Sequence, residues 1–172
     1  PTPSVITRAQ AFGLKVIAWS RSLTPARAEV LGVGHCADVD DLFRRADIVT
    51  LHLALKPETR KFVNSARLSL MRPNAILINT ARGEVVDQVA LQAALAAKKI
   101  RAGLDVFDPE PAESTAAFAD PLLDLPNLYG THHIGASTEQ AQEAIAEEAF
   151  RIVEIFVKTG EAINCVNLAK RT

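Results

Sequence analysis

Asn79-Thr80-Ala81-Arg82-Gly83-Glu84-Val85-Val86-Asp87 is the stretch from which the fold can be read. Before it stands Ala75-Ile76-Leu77-Ile78, an apolar run of strand length that stops at polar Asn79 and Thr80. After it, from Asp87, a helical pattern restarts through Val89, Leu91, Ala94 and Leu95. Strand, short loop and helix in that order are the unit of an α/β sheet, whose ligands bind beyond the carboxyl ends of the strands. Arg82 occupies that end, and its planar fork can clamp a small carboxylate through two parallel hydrogen bonds. Gly83 next to it lets the backbone take a positive φ or approach a ligand closely. A surface arginine in a salt bridge explains this strand equally well, so the rest of the chain has to decide.

Outward from this unit the same alternation repeats. Val5 to Phe12 reads as the end of a helix stopped by Gly13, and Leu14 to Trp19 as the first strand. Thr24-Pro25 opens a short helix that ends near Gly32, with threonine as cap and proline in the first turn. Asp38 to Arg45 is a helix capped by Asp38 or Asp40, and Asp47 to Leu53 a strand broken by Lys56-Pro57. Asn64 to Met71 is helical up to Pro73, and Ile100 to Val106 is a strand whose Gly103 suggests close backbone packing. Prolines 109, 111, 121 and 126 punctuate a long loop, and Asn127 to Thr131 is a fifth strand. Ser137 and Gln140 form a capping box for a last helix to about Lys158, closed by Gly160, before an extended exit from Ile163 to Asn167. The expected architecture is one α/β lobe, a doubly wound parallel sheet with helices on both faces.

Composition narrows the class. The chain has 172 residues, 48% hydrophobic and 23% charged, enough for one domain with a real core. A formal net charge of −1 without a basic cluster argues against nucleic acid as a partner. No apolar run is long enough to cross a membrane, and the start shows no signal-peptide pattern. Cys36 and Cys165 lie far apart, match no metal pattern and suit a reducing cytoplasm.

Three ionisable residues follow three expected strands: Arg82, Glu110 and His133. In a parallel sheet those ends share one edge, so the three converge. Glu110 lies in Asp108-Pro109-Glu110-Pro111, where flanking prolines stiffen the backbone. A carboxylate facing a histidine raises its pKa and fixes its ring, which makes the pair a general acid/base beside an anion clamp. A proline-stiffened loop with a solvated glutamate and a satisfied histidine would explain each residue singly, but not three at successive strand ends.

The sequence resembles the D-isomer-specific 2-hydroxyacid dehydrogenases. The resemblance rests on Arg8-Ala9-Gln10-Ala11-Phe12-Gly13, Asp47-Ile48-Val49-Thr50-Leu51-His52, Met71 through Gly83, Gly103-Leu104-Asp105-Val106-Phe107 and His133-Ile134-Gly135-Ala136-Ser137-Thr138. It implies a Rossmann-like, NAD(P)-binding lobe and hydride transfer between the nicotinamide and C2 of a small 2-oxo or 2-hydroxy acid. It implies catalytic roles for Arg82, Glu110 and His133, and cofactor contacts from Ser20, Arg21, Leu53, Thr59, Thr80, Ala81, Asp105 and Gly135. Asp105 is expected to meet the carboxamide. Related formate dehydrogenases carry glutamine in the position of Glu110, so the glutamate favours hydroxy acids. A homodimer in the cytoplasm is the expected setting.

The chain also departs from the family pattern. No G-x-G-x-x-G fingerprint is present, and alignment back from Arg8 puts the first strand and its phosphate loop upstream of Pro1. The substrate lobe is missing too, so this chain by itself is expected neither to bind cofactor tightly nor to turn over. Where NAD-specific members end a strand with Asp or Glu for the ribose 2′-OH, this chain has Ser20 and then Arg21. Losing that carboxylate favours NADPH, with Arg21 as partner of the 2′-phosphate, although an arginine stacked on adenine would tolerate either cofactor. His132 stands where the family often has proline, and His35 and His52 are expected to be structural. Two other readings are a dinucleotide-sensing, corepressor-like regulator and a non-catalytic lobe that serves in dimerisation.

Overall fold

A computed structural model describes residues 3–110 and 120–165. Contacts divide the chain into two compact units, Pro1–His133 and Ile134–Thr172. The first unit runs α1 (Pro3–Ala11), β1 (Ile17–Ala18), α2 (Pro25–Val30), β2 (Gly34–His35), α3 (Val39–Arg45), β3 (Ile48–Leu51), α4 (Ser65–Leu70), β4 (Ile76–Asn79), α5 (Gln88–Ala96), β5 (Arg101–Leu104) and β6 (Leu128–Gly130). Short 3-10 turns at Pro57–Thr59, Gly83–Val85 and Pro121–Asp124 lie in the connections. The second unit is built on α6 (Glu139–Thr159).

Helix starts follow local chemistry. Thr24, Asp38, Asn64 and Asp87 each accept a backbone N–H of the first turn and so satisfy a donor that the helix leaves unpaired. In α6 the cap is Thr138, which accepts from Ala141 N at 3.2 Å, and not the expected Ser137. Ser137 is spent on a preceding turn, its N–H bonded to the Ile134 carbonyl, so the capping box with Gln140 does not form. Gly160 ends α6 at a φ of 74°. Beyond it Ile163 and Asn164 form a turn, with Asn164 at φ 57°, where an extended exit is expected; Val166 and Asn167 lie outside the described residues.

β3, β4, β5 and β6 form a parallel four-stranded sheet in that order. Register places Val49, Leu77 and Ala102 side by side, and Leu51, Asn79 and Leu104 one step further. All six are buried, which puts one face of the sheet into a core with Phe43 of α3, Leu68 of α4, and Leu91 and Leu95 of α5. β1 and β2 make a separate parallel pair, packed on Ile6 of α1 and Ala28 of α2. β2 has no counterpart in the sequence reading, because a glycine and a histidine show no strand periodicity. Its ladder comes from tertiary pairing, with Gly34 N donating to Val16 O and Cys36 N to Ala18 O, both at 2.9 Å. β1 and β3 do not pair, and a groove of about 740 Å³ opens between their segments.

Two glycines differ from expectation. A Cβ on Gly103 would meet nothing within 4 Å, so close packing is not its reason. Gly83 is required by a close approach, but to protein: a Cβ there would lie 1.8 Å from the carbonyl oxygen of Phe107. Its φ is not positive. Backbone on both sides cannot yield like a side chain, so Gly83→Ala should cost about 3 kcal/mol or more in chemical denaturation. A loss below about 0.5 kcal/mol contradicts the packing. The two thiols should also separate. Cys36 is 2% exposed and its burial pushes the thiol pKa up, whereas Cys165 is exposed. A disulfide-exchange reagent should titrate one thiol quickly in the folded chain and both after denaturation; two fast thiols in the folded state contradict this burial.

Candidate active site

β4 ends in Asn79, whose side chain is 1% exposed and shapes the loop that follows. Its Nδ2 donates to Arg82 O at 2.9 Å, and its Oδ1 accepts from Ala81 N at 3.0 Å. The paired bonds curl residues 79–82 tightly and present the Arg82 side chain at the sheet edge. Arg82 is exposed, donates to the carbonyl of Ala81 at 2.6 Å, and has no carboxylate partner among the described residues. A guanidinium with donors to spare at a strand end can receive an anion.

Beyond β5 the chain passes Asp105, Val106 and Phe107, all buried, to Glu110. Glu110 uses both carboxylate oxygens. Oε1 accepts from Phe107 N at 2.9 Å and Oε2 faces His133 Nδ1 at 2.9 Å. A second clamp comes from Gln88 at the start of α5, whose Oε1 accepts from Asp108 N at 2.9 Å while its Nε2 donates to Asp120 at 2.6 Å. Beyond β6, His133 takes a left-handed φ of 57°, sparsely populated for a residue with a Cβ. Its N–H is held by the Asp105 carbonyl at 2.8 Å. The carboxylate assigns the proton to Nδ1, which leaves Nε2 as the working nitrogen.

Arg82, Glu110 and His133 thus line one cavity of about 390 Å³, together with Gly83, Glu84, Phe107, Asp108 and Pro109. The arrangement can hold an anion at Arg82 while a proton moves at His133, with Glu110 stabilising the charged ring.

The other expected contacts fall in several segments of the chain. Ser20 lines the groove between β1 and β3 with Ala18, Trp19, Leu51 and Leu53. Arg21 is bound to Glu58 at 3.0 Å. The hydroxyl of Thr59 is committed to its own loop, donating to Ala54 O at 2.7 Å and accepting from Lys56 N at 2.8 Å. Thr80 is exposed, and the N–H of Ala81 is taken by Asn79. Asp105, 8% exposed, accepts from Thr131 Oγ1 at 2.5 Å. A buried carboxylate at a strand end is the acceptor that an amide NH₂ needs, so Asp105 suits the carboxamide of a nicotinamide. Gly135 belongs to the second unit. His35 bonds the Leu23 carbonyl at 3.0 Å, and His52 bonds Thr50 at 3.2 Å. Asn79, Gln88 and Glu58 were missed in the sequence; a buried amide ending an apolar strand was the signal available for Asn79 alone.

Residues 3–135 match the family of the D-isomer specific 2-hydroxyacid dehydrogenase, NAD binding domain. D-3-phosphoglycerate dehydrogenase of Methanocaldococcus jannaschii is 41% identical over 95% of this chain and 30% of its own length. Glyoxylate reductase of Thermococcus litoralis is 40% identical over 93% of this chain and 47% of its own. The chain therefore spans less than half of either relative. Among solved structures, the NAD-complexed D-isomer specific 2-hydroxyacid dehydrogenase of Lactobacillus delbrueckii ssp. bulgaricus superposes with a TM-score of 0.85 at 30% identity, covering 96% of this chain and 52% of that one. The chain belongs to the D-isomer specific 2-hydroxyacid dehydrogenase family, in the part that is its NAD-binding domain.

Proposed function

We propose that this chain is the cofactor-binding, acid/base-bearing lobe of an NAD(P)-dependent oxidoreductase acting on a small D-2-hydroxy acid or its 2-oxo partner. The observation that carries the reading is the single cavity where the 2.9 Å His133–Glu110 pair lies with Arg82. Glyoxylate and hydroxypyruvate are the first substrates to try, since relatives at 38–40% identity bear the names of their reductases.

The nicotinamide, when bound, exchanges a hydride with C2 of the substrate. Arg82 binds the substrate carboxylate and polarises the C2 oxygen. His133 Nε2 gives that oxygen a proton during reduction and takes it back during oxidation. Glu110, already fixed by Phe107 N, holds the Nδ1 proton and stabilises the imidazolium. Asp105 accepts from the carboxamide, and Ser20, Arg21, Leu53, Thr59, Thr80, Ala81 and Gly135 make the remaining cofactor contacts, Thr59 by shaping its loop. Arg21, with serine in place of a strand-end carboxylate beside it, supports acceptance of NADPH. The working unit is a cytoplasmic homodimer.

The test is oxidation of NADH and NADPH by the full-length protein with each 2-oxo acid. Arg82→Ala should lower kcat/KM about a thousandfold, as loss of a charge-assisted clamp does. His133→Gln should lower kcat about a hundred- to ten-thousandfold, as loss of a general acid does. Activity within threefold of wild type in either variant would sink the assignment.

A further inference from the structure

β1 and the loop after β3 are clipped together at the groove mouth. Trp19 stacks on Phe62, with ring centroids 5.6 Å apart and planes at 26°. Arg67 lies over the Phe62 ring at 4.0 Å and is itself held by Asp40 at 2.9 Å. Next to this stack Arg21 Nη1 meets Glu58 Oε1 at 3.0 Å. Glu58 sits on the 3-10 turn Pro57–Thr59, pinned by the Thr59 hydroxyl and by Arg60 N on Lys56 O at 3.1 Å. Its own backbone N–H, then Arg21, hold the Glu58 carboxyl below its ordinary pKa, so it is ionised at neutral pH. A carboxylate is absent from the end of β1, where Ser20 stands, but the neighbouring loop brings one, Glu58, to Arg21.

We infer that Glu58 is a specificity-determining residue: it occupies Arg21, opposes a 2′-phosphate and restrains the preference for NADPH that Arg21 would otherwise confer. The inference rests on the reading of Arg21 as the cofactor's ribose-end contact. Glu58 engages one nitrogen of the guanidinium, so other donors remain for a phosphate, but the two anions must then share one cation. A phosphate of charge near −2 about 6 Å from a carboxylate in a water-like medium is disfavoured about three- to tenfold, and less at high salt. The ribose 2′-OH of NADH carries no charge and is indifferent to that repulsion.

Calorimetric titration of NADH and NADPH into the full-length protein tests this without turnover. Wild type, Glu58→Gln, Glu58→Asp, Arg21→Ala and the Arg21→Ala/Glu58→Gln double variant are compared. Glu58→Gln should raise the NADPH-to-NADH affinity ratio about three- to tenfold, an effect that shrinks at 1 M salt. Glu58→Asp should stay near wild type, and the double variant should exceed Arg21→Ala by a similar factor, since the repulsion between the two anions does not pass through Arg21. An unchanged ratio in Glu58→Gln, with a ratio lowered by Arg21→Ala, overturns the role of Glu58 and leaves that of Arg21. An unchanged ratio in Arg21→Ala overturns the reading of Arg21 and the inference with it. Both residues are exposed, so melting temperatures should agree within about 2 °C, which excludes misfolding as the cause.

Discussion

The approach of the Gly83 backbone to the Phe107 carbonyl is the constraint on which the candidate site depends. Register brings Leu51, Asn79 and Leu104 level, so β4 and β5 release their chains side by side. Two loops leaving adjacent strands would ordinarily splay apart. Here they touch through main chain, at a separation that no side chain at position 83 allows. Arg82 rides on one of these loops and Glu110 on the other, so the spacing of the two backbones that carry them is set by packing. Asn79 shapes the first loop and Gln88 ties down the second, each spending a polar side chain on backbone groups.

The electrostatics follow from that geometry. Glu110 is satisfied on both oxygens, by a backbone N–H and by the imidazole, and its carboxylate is therefore held in one orientation. Arg82 keeps its cation without an internal carboxylate among the described residues. One side of the cavity invites an anion while the other holds a proton in a known place, which is the division that reduction of a 2-oxo acid demands. After β1, in the separate two-stranded sheet, the opposite choice is made, and Arg21 is given a carboxylate partner. Two arginines with the same chemistry are thus poised differently by their neighbours.

Much of this was legible in the sequence, for physical reasons that can be named. Ala75-Ile76-Leu77-Ile78 is a strand because it is buried, and buried strands read as apolar runs. The cap at Thr24, and Asp38 as one of two candidates with Asp40, were visible because capping is a local interaction between neighbours in sequence, whereas Asn64 and Asp87 were read only as helix starts. Convergence of Arg82, Glu110 and His133 followed from parallel topology alone. What stayed hidden depends on partners distant in sequence. β2 exists only because β1 lies beside it. Gly83 was legible as special but not as a contact to Phe107, and Gly103 was given a packing role that its surroundings do not require. The Arg21–Glu58 pair spans 37 positions, and no local pattern joins its members.

The central claim is that Arg82 and His133 address two ends of one small substrate. A crystal structure of the full-length protein with reduced cofactor and oxamate, an inert mimic of a 2-oxo acid, tests this pairing. The oxamate carboxylate should lie within hydrogen-bond distance of the Arg82 guanidinium, and the oxygen on its amide carbon within hydrogen-bond distance of His133 Nε2. Oxamate bound away from Arg82, or turned so that His133 meets the carboxylate, would contradict it.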